Sequence, residues 1–251
     1  MLEQFRLDGK RVVVTGSSRG LGLAVAQYLA KAGAELVLAA RDGGELEKVA
    51  AAIIDQTESS VIVAQLDVTN SAEVEDVFEG IDRQGKIDVL VNCAGIQHQH
   101  SVEKFPDSDW DEVLATNLTG TFYCARAFAR RCERKGSIIN FASVASSVGV
   151  SRQVAYSASK AGVVGLTRAL AVELSPREIR VNAIAPGYFN TGMPSSILDD
   201  PDQRARLIRR VPLRRIADPD EIGPPVVFLA SDASLFMTGA ILKFDGGYTA
   251  W

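Results

Sequence analysis

Two residues in the middle of the chain have types and a spacing suited to proton transfer. Tyr156 and Lys160 stand four apart in a stretch whose apolar residues recur at Val163, Leu166, Leu170 and Leu174, a helical period that sets both side chains on one face. A free phenol titrates near ~10, and an ammonium beside it favours the ionised form, so the spacing predicts a tyrosine drawn toward acid–base work at neutral pH. Such a group gives a proton to a carbonyl oxygen as hydride arrives, or takes the proton of an alcohol as hydride leaves. Ser143, just past the apolar run Ile138 to Phe141, is placed to hydrogen-bond the same oxygen. Alone, a Tyr-x-x-x-Lys pair on a helix is commonly structural, so its meaning depends on what else the chain carries. The overlapping Ser157-Ala158-Ser159-Lys160 also fits the Ser-x-x-Lys of penicillin-binding hydrolases, but the companion Ser-Asp-Asn and Lys-Thr-Gly elements are absent.

A second constellation follows the first apolar run, Val12 to Val14. The segment Thr15-Gly16-Ser17-Ser18-Arg19-Gly20-Leu21-Gly22 opens directly into an amphipathic helix ending near Gly33. Glycines let a backbone turn tightly and approach a pyrophosphate, and a helix N-terminus offers N–H groups and a positive dipole end. The Gly-x-x-x-Gly-x-Gly spacing departs from the usual Gly-x-Gly-x-x-Gly fingerprint, and packing alone would also explain it. Its position after the first strand favours a dinucleotide. At the end of the second strand the chain reads Ala39-Ala40-Arg41-Asp42, where an acid would take the ribose hydroxyls. Arg41 and Arg19 instead supply two guanidiniums for a 2′-phosphate, so NADP(H) is expected to be preferred, with NAD(H) possible. Asp67 and Val68, past the third strand, are candidates for adenine contact; capping a helix is the competing role for Asp67.

The elements that must hold these groups are legible as short apolar runs separated by helical stretches: Val12 to Val14, Leu36 to Ala39, Val61 to Ala64, Val89 to Val91, Ile138 to Phe141, Val181 to Ala185 and Ile241 to Phe244. Strand–helix alternation predicts one α/β domain spanning residues 1–251, a doubly wound parallel seven-stranded sheet with helices on both faces. No Pro-, Gly- or Ser-rich linker, repeat or low-complexity tract divides it. The alternation breaks between Pro186 and Pro219, and 188–218 is expected to form a substrate lid within the domain. The chain has 251 residues, 47% of them apolar, and a formal net charge of −4, enough for a sizeable core and with no general attraction to nucleic acid or anionic membrane. Arg204, Arg206, Arg209, Arg210, Arg214 and Arg215 are read as a solvated face or as subunit salt bridges. Three cysteines without Cys-x-x-Cys spacing, no apolar run long enough to span a bilayer and no export signal point to a reducing cytoplasm. The Asn117-Leu118-Thr119 sequon is discarded on the same ground. His98 and His100 lack further ligands, and no metal site is expected.

In combination the motifs are specific. TGSSRGLG (Thr15 to Gly22), NCAG (Asn92 to Gly95), Asn117, Ser143, YSASK (Tyr156 to Lys160) and Pro186-Gly187 with Thr191 resemble the short-chain dehydrogenase/reductase family over essentially the whole chain. The resemblance implies a Rossmann-type fold and a catalytic tetrad of Asn117, Ser143, Tyr156 and Lys160. Tyr156 would be the acid/base, Lys160 its partner and a ribose ligand, Ser143 the donor to the substrate oxygen, and Asn117 the support for a proton-relaying water chain. It also implies cofactor contacts from Gly16, Ser18, Arg19, Gly20, Leu21, Gly22, Asn92, Ala94 and Gly95, with Pro186, Gly187 and Thr191 at the nicotinamide carboxamide. A homotetramer is implied as well, with the helix bearing Gly162 and Gly165 and the segment Asp245 to Trp251 at its interfaces.

Cys93 departs from the family's usual second asparagine, which is expected to change a hydrogen bond near the central sheet. Pro224-Pro225 inside an otherwise helical stretch predicts a kink or a late start. Within the family, NCAGIQHQH, DSDWDEVLATNLTG, APGYFNTGM and DGGYTAW are similar to gluconate 5-dehydrogenases, which implies interconversion of D-gluconate and 5-keto-D-gluconate. Gln97, His98, Arg152 and Asn190 are the candidate polar contacts for such a substrate. The alternatives are a 3-oxoacyl-carrier-protein reductase and, outside enzymes, a nucleotide-sensing regulator, which the complete tetrad disfavours.

Overall fold

The computed structural model describes residues 2–191 and 200–250. Seven parallel strands, β1 (Arg11–Thr15), β2 (Glu35–Ala40), β3 (Val61–Gln65), β4 (Val89–Asn92), β5 (Gly136–Phe141), β6 (Ile179–Pro186) and β7 (Ile241–Phe244), form one sheet in the order β3-β2-β1-β4-β5-β6-β7. All seven expected runs are strands. Between them lie α1 (Gly20–Lys31), α2 (Gly43–Thr57), α3 (Ser71–Asp82), α4 (Asp107–Leu114), α5 (Gly120–Arg131), α6 (Val154–Leu174), α7 (Pro201–Arg210) and α8 (Gly223–Ala230).

Alternation along each strand feeds two separate cores, because successive side chains point to opposite faces. Val12, Val14, Leu36, Leu38, Val89, Val91 and Ile139 pack with Leu29, Ile53 and Val226 on one side. Val13, Val37, Leu90, Ile138 and Val181 meet Phe78 and Phe128 on the other. Each fully buried side chain of this kind contributes about 1.5–3 kcal/mol, so the central strands are held from both faces. After β3 the chain crosses back to β4 on the far side of β1. That reversal opens a crevice beyond the carboxyl ends of β1 and β4, where open sheets of this kind bind ligands.

Two helix irregularities matter to the site. Between α4 and α5 the backbone widens into a π-helical turn, Ala115–Thr119, around the fully buried Asn117. Pro224 and Pro225 fall in the first turn of α8, where the missing N–H groups have no intrahelical acceptor to lose; the helix starts late, after a 3-10 turn at Pro219–Ile222 that Asp218 and Glu221 cap reciprocally. The base of the expected lid is closed by a bridge between Phe189 and Ala217. Residues 192–199 of that region, with Met1 and Trp251, lie outside the described residues. No described helix is long and apolar enough to cross a membrane.

Candidate active site

A cleft of about 1110 Å³ runs along the carboxyl edge of the sheet, lined from Gly16, Arg19 and Arg41 at one end to Ser143, Tyr156, Gly187 and Thr191 at the other. Its first wall is the turn after β1. Gly16 takes φ +69 and Gly20 φ +60, backbone that a side chain resists, and the Gly16 N–H donates to the Ala39 carbonyl at 2.7 Å. A Cβ on Gly22 would lie 2.2 Å from the Gly16 carbonyl oxygen, and one on Gly16 2.7 Å from the Ala94 Cα. The turn therefore demands glycine at both positions, and it brings α1's first N–H groups to the cleft. Ser18, Leu21, Ala94 and Gly95 line the same wall.

Arg19 occupies the N-cap position of α1 without a side-chain capping bond. Arg19 and Arg41 are both exposed, and among the described residues neither is in an ion pair. Asp42, the acid next to Arg41 in sequence, is occupied: its carboxylate accepts the Glu45 N–H at 3.0 Å and caps α2. Asp67 and Val68 line the cleft. Asp67 does not cap α3; Asn70 does, while the Asp67 carboxylate takes the N–H and hydroxyl of Thr69 at 2.9 and 2.8 Å.

At the opposite end, Ser143 follows β5 in extended backbone, and its Oγ accepts the Ala145 N–H at 3.2 Å. Its hydroxyl stands close enough to the Tyr156 phenol to act on its titration, and both side chains line the cleft. Lys160, one turn further along α6, is buried and donates to the Phe141 carbonyl at 2.7 Å, with Nζ 5.6 Å from the centre of the Tyr156 ring. The expectation that the ammonium draws the phenol toward ionisation is not met in the free chain. Burial raises the Tyr156 pKa, and the neighbouring Ser143 hydroxyl offsets only part of that; burial also lowers Lys160 to about 8. Desolvation acts against the charged form of each group, so the pair opposes ionisation on both sides.

Asn117 and Asn92 are placed behind the cleft rather than in it. Asn117 Oδ1 accepts the Ile96 N–H at 2.8 Å, and Nδ2 donates to the Ile96 carbonyl at 2.9 Å and to Ser159 Oγ at 3.0 Å. The complete burial of Asn117 is incompatible with glycosylation at the sequon. Asn92 Nδ2 donates to Asn140 Oδ1 at 2.9 Å inside the sheet, while its own Oδ1 is buried without a partner. Cys93 lines the cleft near Lys160, its thiol pushed up to about 12 by burial. Its N–H and that of Ala94 share Thr15 Oγ1, each at 3.2 Å, so the backbone tie between β1 and β4 does not depend on the side chain at 93.

Of the expected substrate contacts, Gln97 and His98 line the cleft; Arg152 and Asn190 do not. Arg152 is exposed at φ +64 and uses its carbonyl to accept the His100 N–H, while Asn190 is exposed and gives its N–H to Ala217. His98 pairs with Glu112 at 2.9 Å and His100 with Asp109 at 2.8 Å; no group of three or more metal-ligating side chains occurs among the described residues. Ser157 does not line the cleft, which removes the geometry a Ser-x-x-Lys nucleophile needs. Gln153, Tyr188 and Phe189 line it and were not foreseen: each is a single polar or aromatic residue in a loop or at a strand end, with no spacing to mark it.

The fold and the tetrad geometry together define an oxidoreductase of alcohol and carbonyl groups: the chain belongs to the short-chain dehydrogenase/reductase family. Residues 16–249 match the family model described as enoyl-(acyl carrier protein) reductase. The chain is 39% identical over 251 residues to 5-keto-D-gluconate 5-reductase of Escherichia coli (strain K12), covering 98% of each. It is also 39% identical over 245 residues to 3-oxoacyl-[acyl-carrier-protein] reductase of Vibrio harveyi, covering 96% of this chain and 98% of that one. A gluconate 5-dehydrogenase from Burkholderia cenocepacia J2315, crystallised with NADP and tartrate, superposes with a TM-score of 0.96 at 36% identity, covering 100% of this chain and 99% of that one.

Proposed function

We propose that the protein reduces the ketone of a sugar acid with NADPH, and oxidises the alcohol in reverse, with 5-keto-D-gluconate and D-gluconate as the substrate pair. The carrying observation is the meeting of Ser143 and Tyr156 in the lining of one cleft, with Lys160 anchored one turn beyond Tyr156, which puts two hydroxyls within reach of one oxygen. A ketone oxygen accepts both, and Tyr156 passes its proton to that oxygen as the alkoxide develops. Lys160, anchored by the Phe141 carbonyl, is proposed to hold a ribose hydroxyl and to feed the phenol's proton balance, and Asn117 to steady the loop that frames it.

The residues present fit a nicotinamide dinucleotide: a cradle that no Cβ can enter at Gly16 and Gly22, a helix N-terminus behind it, and a continuous cleft from there to Tyr156. Bound there, the cofactor would supply the hydride. Arg19 and Arg41, exposed and without an acidic partner among the described residues, support a 2′-phosphate and hence NADP(H) over NAD(H), as does the NADP held by the Burkholderia relative. Ser18, Gly20, Leu21, Asp67, Val68, Ala94 and Gly95 are proposed along the nucleotide, and Pro186, Gly187 and Thr191 at the carboxamide. For the substrate, Gln97 and His98 stand where a polyol chain would lie.

A homotetramer, implied by the family resemblance, is supported by apolar side chains left open at Val172 on α6 and at Phe236 before β7. Gly165 faces open space, whereas Gly162 packs within the subunit, where a Cβ would lie 2.7 Å from the end of the Leu118 side chain. Three free thiols support a reducing cytoplasm.

The test is a steady-state screen of 5-keto-D-gluconate, D-gluconate and an acetoacetyl thioester with each nicotinamide cofactor. Efficient reduction of the thioester with none of the sugar acid would establish the second reading, a 3-oxoacyl-carrier-protein reductase, which the Vibrio relative supports. Tight NADPH binding without turnover of any carbonyl would leave the nucleotide-sensing regulator.

A further inference from the structure

Gln153 stands at the N-cap of α6, three residues before Tyr156, and does not use its side chain to cap the helix. That spacing turns the two residues to one face. The chain arrives through Arg152 in left-handed backbone, φ +64, and the Arg152 carbonyl accepts the His100 N–H at 3.2 Å. Gln153 is thereby held between Tyr156 and the loop that carries Gln97 and His98, and it lines the cleft with all three. It is 6% exposed. Both of its backbone groups are paired, the N–H donating to the Val150 carbonyl at 3.3 Å and the carbonyl accepting the Ser157 N–H at 2.8 Å. Its side-chain amide has no hydrogen-bond partner among the described residues.

Asn92 Oδ1 and Ser157 Oγ are unpaired and sealed in packing; the Gln153 amide is unpaired without being sealed. The small surface that Gln153 keeps therefore includes Nε2 and Oε1, and the space it borders is the cleft. An amide so placed costs the fold stability, and a ligand that supplies the missing bonds returns it. A primary amide is neutral and presents donor and acceptor side by side. A lone carbonyl or a carboxylate answers Nε2 and leaves Oε1 bare, whereas two hydroxyls on neighbouring carbons answer both. We infer that Gln153 determines specificity by holding a pair of neighbouring hydroxyls beside the reacting carbon, Nε2 donating to one and Oε1 accepting from the other, so that the site selects polyhydroxylated ketones over hydroxyl-free ones. A hydroxyl-free substrate closes over the amide and leaves it unpaired, the mismatch by which enzymes reject such analogues most strongly. The inference rests on the Tyr156/Ser143 reaction centre proposed above.

The experiment measures kcat/KM for L-erythrulose and for 2-butanone, four-carbon ketones with and without hydroxyls, using NADPH with the wild-type enzyme and with Gln153→Met, which keeps the length of the side chain and removes its polar atoms. The wild type is expected to prefer erythrulose, and Gln153→Met to lower that preference about tenfold, chiefly through KM, the equivalent of two neutral hydrogen bonds. The intrinsic reactivity of each ketone cancels between the two proteins. The urea midpoint of the ligand-free variant separates specificity from architecture. Methionine replaces an amide that the fold leaves unpaired, so the midpoint is expected to equal or exceed that of the wild type, whereas loss of a structural amide would lower it. A preference unchanged by the substitution, a wild type without preference, or a lowered midpoint overturns the inference. Failure of the wild type on 5-keto-D-gluconate, with the erythrulose preference present and lost in the variant, overturns the sugar-acid reading alone.

Discussion

The side chain of Asn117 pairs with both backbone groups of one residue, Ile96, accepting its N–H at 2.8 Å and donating to its carbonyl at 2.9 Å. In effect the buried amide acts as one rung of a ladder for the loop that follows β4, where no strand is available to supply it. Its remaining donor goes to Ser159 Oγ, which in turn donates to the Tyr156 carbonyl at 2.8 Å. The π-helical widening at Ala115–Thr119 and the first turns of α6 are thus tied through a single amide. Gly95 is part of the same fit, since a Cβ there would stand 3.3 Å from Asn117 Oδ1 and 3.5 Å from Lys160 Nζ.

Replacing Asn117 by alanine removes three hydrogen bonds and leaves the Ile96 peptide buried without them. The expected loss is about 2–4 kcal/mol of stability, read as a lower urea midpoint at unchanged m-value, with a drop in kcat because Tyr156 is no longer held through Ser159. A variant with the wild-type midpoint would show that solvent replaces the amide at no cost.

Tyr156→Phe deletes the proposed proton donor and leaves the ring. Turnover is expected to fall by about 10²–10⁴-fold, while NADPH affinity measured by fluorescence titration stays within severalfold. Retained kcat would remove Tyr156 from the chemistry.

Arg41→Ala tests the phosphate assignment. A charge-assisted hydrogen bond is worth about 1.5–3 kcal/mol, so NADPH binding should weaken roughly 10- to 100-fold with little change for NADH. Equal weakening of both cofactors would mean that Arg41 does not read the 2′-phosphate.

The buried titratable groups set an alkaline limit on stability. Burial lowers Lys160 to about 8 from its ordinary 10.5, so between those values the unfolded lysine holds a proton that the folded one has released, and stability rises with pH. Cys93 and Cys124 are pushed up to about 12 from 9.0. Above pH 9 they retain protons that the unfolded thiols lose, which makes stability fall with pH. Cys132, also raised, adds to this fall, and Tyr156 joins it above pH 10. The thiols outnumber the lysine, and a decline is expected from about pH 9 upward. In Cys93→Ala the decline should be shallower by about 1.4 kcal/mol per pH unit, measured by urea unfolding between pH 8 and 10.5. Parallel curves for the two proteins would contradict the burial of that thiol.

Most of the architecture was legible because it rests on local regularities. Short continuous apolar runs such as Val12 to Val14 and Leu36 to Ala39, and the 3.6-residue period through Val163, Leu166 and Leu170, are properties of neighbouring residues, and they foretold every strand and the helix carrying Tyr156 and Lys160. The Gly16 to Gly22 turn was legible for the same reason: positive φ and close backbone approach leave glycine as the residue that fits. Only the folded chain could decide how charges and hydrogen bonds are shared among groups distant in sequence. Spacing alone suggested that Lys160 would acidify Tyr156; burial of both, with the ammonium turned to the Phe141 carbonyl, reversed the balance. Asn92 and Asn117 went into the structure behind the cleft, Arg152 and Asn190 to the exposed surface outside it, and Tyr188 became a wall because Gly187, where a Cβ would lie 2.8 Å from the Asp245 Cα, lets Asp245 approach. Desolvation and long-range contact depend on what surrounds a group in three dimensions, and a one-dimensional pattern carries no measure of that.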